Sequence, residues 1–575
     1  MSLPFARGHY RRPPSAYQAT FARAVAILPG DAPMSRTPIL TLLVLLYCCA
    51  GALAQAPGKP CTQPEALKIG WPQLAGPYST FACVPIDTPL VEDLSKASLL
   101  WESDFKDLGR AKGGSQAYRR VDQFTAENFA KMGSHPGSWA GLIVADGMVF
   151  ASSWRPVGDF INVQGHKVRL DAEDFVVALD ALTGKTRWLS AEPGGILKGG
   201  GKRQGFQVGC VYHKGVVYSL GSTARLFAYD AATGRKIWES DAHPARAAQK
   251  KAREDALAAA AAGKWTYNLN PNWCASLAVI ADVLIVPDQG GGLVGVDPAS
   301  GKAIWSLKGV ISRWATPSTW THEGRQYLLC ANEKGELRLI DPAAGKELWK
   351  LSGLGPTWFT LAPGKTHVLV NIVPDSGKAK DAPRKFGRLG AIKLSPTGGQ
   401  KDWEVGHGYL IPVWMDSGAR LRFPYQNGRF LIPHGSSEEG DVGDGDAPAA
   451  PPPPADGKQR APAGPALLID EATGKALSVL PPEGRRDDNL AGLIYWIGDR
   501  ILARGDSYHG PRHGGRHPWT WWSSAGDRLT RLPGKMDLGE FTNAYEVSME
   551  APLVGGLVFE RTEAGSVVCY DLRAK

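Results

Sequence analysis

Four nonapeptides of identical spacing, Asp-x-x-x-Gly-Lys/Arg-x-x-Trp, constrain this chain more than any other feature. They read DALTGKTRW from Asp180 to Trp188, DAATGRKIW from Asp230 to Trp238, DPASGKAIW from Asp297 to Trp305 and DPAAGKELW from Asp341 to Trp349. A fifth copy starts at Asp470, keeps Gly474 and Lys475, and has Ser478 in the Trp position. The residues ahead of each Asp (FVVAL, RLFAY, GLVGV, LRLI, ALLI) are short, branched or aromatic runs, as buried strands are. The Asp carboxylate can accept from backbone amides just ahead of it and shape a turn. Gly184, Gly234, Gly301 and Gly345 supply the positive φ of a tight hairpin. The strand then restarts with a Trp, a large plate suited to the gap between neighbouring sheets. Each unit is the last hairpin of a small antiparallel sheet, and its return along the chain predicts radial repetition.

The expected fold is all-β: an eight-bladed β-propeller of four-stranded antiparallel blades. The blades end near Trp188, Trp238, Trp305, Trp349, Trp403, Leu477 and about Leu529. The segment SLLWESD at 98–104 resembles a closing strand without its partners, and the C-terminal stretch has three strand-like runs and no fourth. A blade built from both termini would close the ring and remove two sheet edges. The fifth blade is degenerate (AIKLSPTGGQKDW lacks the Asp), and a seven-bladed ring is the alternative.

The unit resembles the tryptophan-docking repeat of the quinoprotein alcohol dehydrogenase-like superfamily, the pyrroloquinoline quinone (PQQ) repeats. WPQLAGPYSTF from Trp71 is similar to the opening segment of secreted bacterial proteins of that kind. The resemblance runs from about Trp71 to the C-terminus and implies the fold. It does not by itself imply chemistry, since both dehydrogenases and non-catalytic scaffolds carry the repeat. An enzyme of this superfamily would stack PQQ over a Trp near the axis, bind Ca²⁺ through carboxylate and amide oxygens, and often hold a disulfide between adjacent cysteines. Past residue 54 the sequence has no Cys-Cys pair. No cofactor is therefore expected, and a PQQ- and Ca-dependent dehydrogenase oxidising alcohols or sugars is the alternative.

Residues 34–54 read as a signal peptide: one Arg, an apolar run from Ile39 to about Tyr47, and an Ala-x-Ala site that predicts cleavage after Ala54. Residues 1–33 read as a misannotated or disordered extension and 55–98 as an irregular segment. The propeller is expected over 99–575, interrupted by a helical insertion at 241–264 and a disordered acidic, Pro-rich one at 435–465. A secreted or periplasmic location follows, with no transmembrane span. In an oxidising compartment Cys61, Cys83, Cys210, Cys274, Cys330 and Cys569 could pair, with Cys61–Cys83 the favoured bridge. The +9 net charge is spread over the chain rather than clustered, which argues against nucleic acid. A monomer is expected.

Two constellations could bind a ligand. His509, His513 and His517 recur at intervals of four, but Gly510, Pro511, Gly514, Gly515 and Pro518 forbid a helix that would align them, so they are weak metal candidates and no metal is expected. The 19 Trp exceed what the repeat consumes. Trp265, Trp273, Trp314, Trp358, Trp414 and Trp519 fall in predicted loops, which converge at the mouths of a propeller's channel. They could line a face for a protein or glycan ligand. The sequence reading is a binding or protein-interaction scaffold, with no catalytic residue assigned.

Overall fold

A computed structural model describes residues 59–108, 140–163, 166–168, 171–196, 208–264, 275–288, 290–373, 386–406, 411–412, 421–434, 465–481, 490, 492–504, 518–536, 550–562 and 565–575. Eight antiparallel sheets surround an axis. Blade one uses Ile143–Ala145, Met148–Pro156, Asp171–Asp180 and Thr186–Ile196, numbered from the axis outward, and blades two, three and four repeat that order through Leu351. Among the described residues blade five has His367–Asn371, Leu389–Ser395 and Gly398–Glu404; its repeat hairpin forms despite the missing Asp, and it is the innermost strand that is absent. Blade six ends with Ala476–Leu480, and blade seven runs from Leu493–Ile497 to Thr530–Met536. Blade eight takes three strands from the C-terminus, and its outermost strand is Ser98–Glu102, so the two ends of the chain close the ring as the sequence predicts.

The repeat works as follows. Asp180 accepts from the amides of Leu182 and Thr183 at 3.0 and 2.9 Å, and Asp230, Asp297, Asp341 and Asp470 each accept from a following amide in the same manner. Gly234, at φ +73°, lies under the Trp188 ring: a Cβ there would sit 2.6 Å from a ring carbon. The indole N–H of Trp188 donates to the Ala231 carbonyl at 2.9 Å, so the plate is held by one bond and by contact with bare backbone. Trp238, Trp305, Trp349 and Trp403 make the equivalent bond to blades three, four, five and six, and Trp101 of blade eight makes it to blade one.

A further device, silent in the sequence, aims the plate. In blades one, two, three, four and six the pairing of the third and fourth strands slips at the residue before the Trp position: Ala178 faces Trp188, but Leu179 faces Thr186. The bulge turns the skipped residue outward, which is why Ile237, Ile304 and Leu477 are exposed although apolar.

Two helices accompany the sheets among the described residues: α1, Gln63–Ile69, and α2, Arg246–Ala261, which packs Ala252 and Ala256 on Ile196 of blade one. No helix among the described residues is long and apolar enough to cross a membrane. The insertion at 435–464 lies outside the described residues. The Cys61–Cys83 bridge is not formed. Backbone pairing at Cys61 joins it to Ile86, its thiol points at the Pro85 carbonyl, and Cys83 is buried against blade seven.

The dock is a test of additivity. Trp188→Ala should cost about 3–5 kcal/mol in urea unfolding. Gly234→Ala alone should cost at least about 1–2 kcal/mol, since it both pushes on the ring and strains the backbone. The double variant should cost clearly less than the sum, because each change removes the same contact.

Candidate functional site

Antiparallel order puts the short turns between strands one and two, and between three and four, at one end of every blade. The longer connections lie at the other end. The two ends differ in kind.

The turn end is closed. Residues 71–83 enter the axis there and pair with innermost strands on most sides of the ring. Trp71 and Val144 of blade one exchange both backbone bonds, at 2.6 and 3.0 Å. Pro72 accepts from Tyr212 of blade two at 2.8 Å, and the Gln73 side chain accepts from Val279 of blade three at 3.1 Å. Thr80 accepts from Tyr425 of blade six at 3.0 Å, and Phe81 and Cys83 bracket Trp496 of blade seven at 3.1 and 2.7 Å. Ala75, Ser79 and Phe81 sit at positive φ of 67°, 55° and 56°. Such conformations cost on the order of 1–3 kcal/mol each and persist only where the surroundings dictate them.

Above this plug lies a charged cluster drawn from blades six, seven and eight. Glu550 receives the Tyr495 hydroxyl at 2.7 Å, faces Arg422 at 3.3 Å, and accepts from the Ala75 amide at 3.4 Å. All three side chains are buried. Burial pushes the Glu550 carboxyl above its ordinary range while Arg422 pulls it back, and burial also raises the Tyr495 phenol. The Arg422 guanidinium lies over the rings of Phe81 and Tyr495, at 4.8 and 5.4 Å. A planar quinone at this depth would find the stacking position taken by a guanidinium whose charge is matched, so the residues here do not fit that group.

A hydroxyl girdle continues around the axis. Ser276 Oγ accepts from the Gly209 amide at 3.3 Å, Thr316 Oγ1 from Ser276 at 2.9 Å and Thr360 Oγ1 from Thr316 at 3.0 Å, tying blades two to five in series. Gly209, Ser276 and Thr316 each stand two residues before an innermost strand. Sequence reading missed this ring, although the recurring small residue at one offset was a readable signal. It also missed the Glu550 cluster, whose members are far apart in the chain.

Nearer the connection end, Arg504 pairs with Glu560 at 2.7 Å over the Trp519 ring, and burial raises the Glu560 carboxyl. Arg561, its pKa lowered to about 10 by burial, donates to the carbonyls of Leu108 and Ala140. Between blades one and two, buried Asp174 accepts from the Ser222 amide at 3.0 Å, with Arg225 and Arg246 near it. Burial raises its carboxyl to about 6.

Of the sequence candidates, Trp265, Trp273, Trp414, His509, His513 and His517 lie outside the described residues. Trp314, between blades three and four, is buried, and Trp358, between blades four and five, is half-buried. Trp519 belongs to the third strand of blade seven rather than to a loop. In WTWWS the strand alternation sends Trp519 and Trp521 into one inter-blade core and Trp522 into the other. Among the described residues no cluster of three His, Cys, Asp or Glu is arranged to hold a metal ion.

Two tests follow. Glu550→Gln should strand the buried Arg422 charge and cost about 3–5 kcal/mol in unfolding assays, and adding Arg422→Met should recover much of that. Asp174 has its pKa raised from the ordinary 3.8 to about 6, so the stability it contributes is complete below pH 4 and lost as pH rises through 6. Asp174→Asn should therefore match the wild type near pH 4 and exceed it at pH 8 by on the order of 2 kcal/mol in denaturation midpoints.

A family profile described as "Outer membrane protein assembly factor BamB" matches residues 172–357. No curated protein matches the chain. Among solved structures, BamB from Moraxella catarrhalis is similar at 13% identity, over 73% of this chain and 94% of that one, with a TM-score of 0.38. Quinohemoprotein alcohol dehydrogenase from Comamonas testosteroni is similar at 14% identity over 88% and 81%, with a TM-score of 0.39. The computationally designed Ika8 protein is similar at 12% identity over 72% and 100%, also at 0.39. The closed ring of eight sheets makes this chain a β-propeller, and its residues 172–357 are similar to the PQQ-repeat profile.

Proposed function

We propose that this PQQ-like propeller is a secreted or periplasmic, non-catalytic scaffold that holds a protein or glycan ligand at the connection end of its ring. The observation that carries this reading is the closed turn end. With residues 71–83 bonded to the innermost strands of blades one, two, three, six and seven, a ligand approaching along the axis has the connection end left to it. Four successive connections, from blade two to blade six, carry Trp in the sequence: Trp265 and Trp273, Trp314, Trp358, and Trp414. Of these Trp314 is buried and Trp358 half-buried, and the reading rests on the remaining Trp as sequence candidates for recognition of a peptide or sugar face. The likeness of residues 172–357 to a BamB profile supports a scaffold acting by protein contact. Localisation rests on the signal-like segment at 34–54.

Titration of the protein with PQQ, with and without Ca²⁺, tests the reading through Trp fluorescence and a dye-linked alcohol and sugar oxidation assay. The expected result is no saturable quenching at tens of micromolar PQQ and no dye reduction. Stoichiometric, Ca²⁺-dependent quenching with dye reduction would replace the scaffold by a quinoprotein dehydrogenase.

A further inference from the structure

Six of the eight inter-blade seams carry a Trp bonded to a backbone carbonyl of the next blade. The two that do not are the seams on either side of blade seven, and at both the receiving site is missing along with the plate. Blade six sends Ser478, which accepts from the Leu529 amide at 3.0 Å. The position in blade seven that would receive a Trp, four residues after the turn-opening one, is Asp527 at φ +59°, which faces Arg429 instead. On the other side, blade seven has Arg531 opposite Trp522 where the other blades have Trp, and its own guanidinium lies over that ring. In blade eight the residue four after Asp571 is Lys575 rather than a glycine.

At the seven–eight seam the place of the dock is taken by the N-terminal arm, whereas the six–seven seam is closed directly by Ser478 with the Leu529 amide and by Arg429 with Asp527. Near the axis, Phe81 and Cys83 pair with Trp496 on the innermost strand of blade seven. At the outer side, Val91 accepts from the Trp521 indole at 2.9 Å, Asp93 sits against Gly534, and Glu92 pairs with Arg500. The same stretch reaches blade eight: the Val91 amide donates to the Leu572 carbonyl and the Ala574 amide to the Pro89 carbonyl, both at 2.8 Å. We propose that residues 80–97 are a strap that stands in for the missing dock between blades seven and eight, so that blade seven is held in the ring by the strap and leaves its fixed place when the strap lifts. Blade seven and the strap then form one unit of opening, distinct from the Trp-docked arc of blades one to four.

Native-state hydrogen exchange on the full chain, read by mass spectrometry over rising urea, tests this. Strap amides (Cys83, Val91) and blade-seven amides (Ile494–Arg504) are expected to exchange through one shared opening, ahead of blades one to four. A strap that opens by itself while blade seven keeps the protection of the rest would overturn the proposal. So would blade seven exchanging together with blades one to four. Cys83→Pro removes one strap donor in the full chain and is expected to speed exchange at Ile494–Arg504 about tenfold, leaving blades one to four within about twofold. Uniform acceleration, or none, would count against the strap. Should the Pro variant not fold, the wild-type exchange pattern still decides.

Discussion

The structure depends on one contact made six times: an indole plate lying on a glycine and held by a single N–H bond to a carbonyl. A sheet of four short strands cannot bury both faces alone, so each blade needs its neighbour. The Trp supplies area and its N–H supplies register. The glycine supplies the clearance that lets backbone and ring touch. The bulge before the Trp turns the strand so that the plate meets the next blade, and the exposed Ile237 and Ile304 are the side effect of that geometry.

Where that contact is absent, the chain ends take over. Blade eight joins the first strand of the propeller to its last three, which ties the ring shut by backbone bonds. Ring closure alone, however, does not fix a blade that lacks docks on both sides. The strap reaches blade seven on its axial and outer sides and crosses to blade eight, using main-chain bonds for most of its work. Main-chain bonds tolerate almost any sequence, whereas the dock demands Trp and Gly together. At Ser478 and Asp527 both halves of the dock are absent, and the seam there is closed instead by Ser478 with the Leu529 amide and by Arg429 with Asp527.

This division explains what could be read in advance. Repeats with side-chain requirements were legible: the Asp turn, the glycine, the Trp and the terminal strands that complete the eighth blade. The strap was not, because WPQLAGPYSTF pairs through its backbone with strands scattered over some hundreds of residues, and nothing in its side chains names those partners. Proximity in sequence misled for Cys61 and Cys83, since the arm bends so that Cys61 meets Pro85 and Ile86 while Cys83 faces Trp496. The WTWWS run was misplaced because a surplus of Trp suggested a loop surface, while its period-two alternation already described a strand buried on both faces.

The candidate site follows the same logic at the axis. A guanidinium between two rings, a carboxylate bonded to a phenol and a plug of strained backbone are features that an active site could show. Here each charge is answered by protein: Arg422 by Glu550, and Glu550 by Tyr495 and the Ala75 amide. Matched buried charges gain little net stability, yet removing either partner is costly, so they fix one arrangement of blades six, seven and eight around the plug. The connections at the other end are the segments least constrained by the repeat. The recurring geometry of the docks thus leaves the connections between blades as the segments with the fewest side-chain requirements.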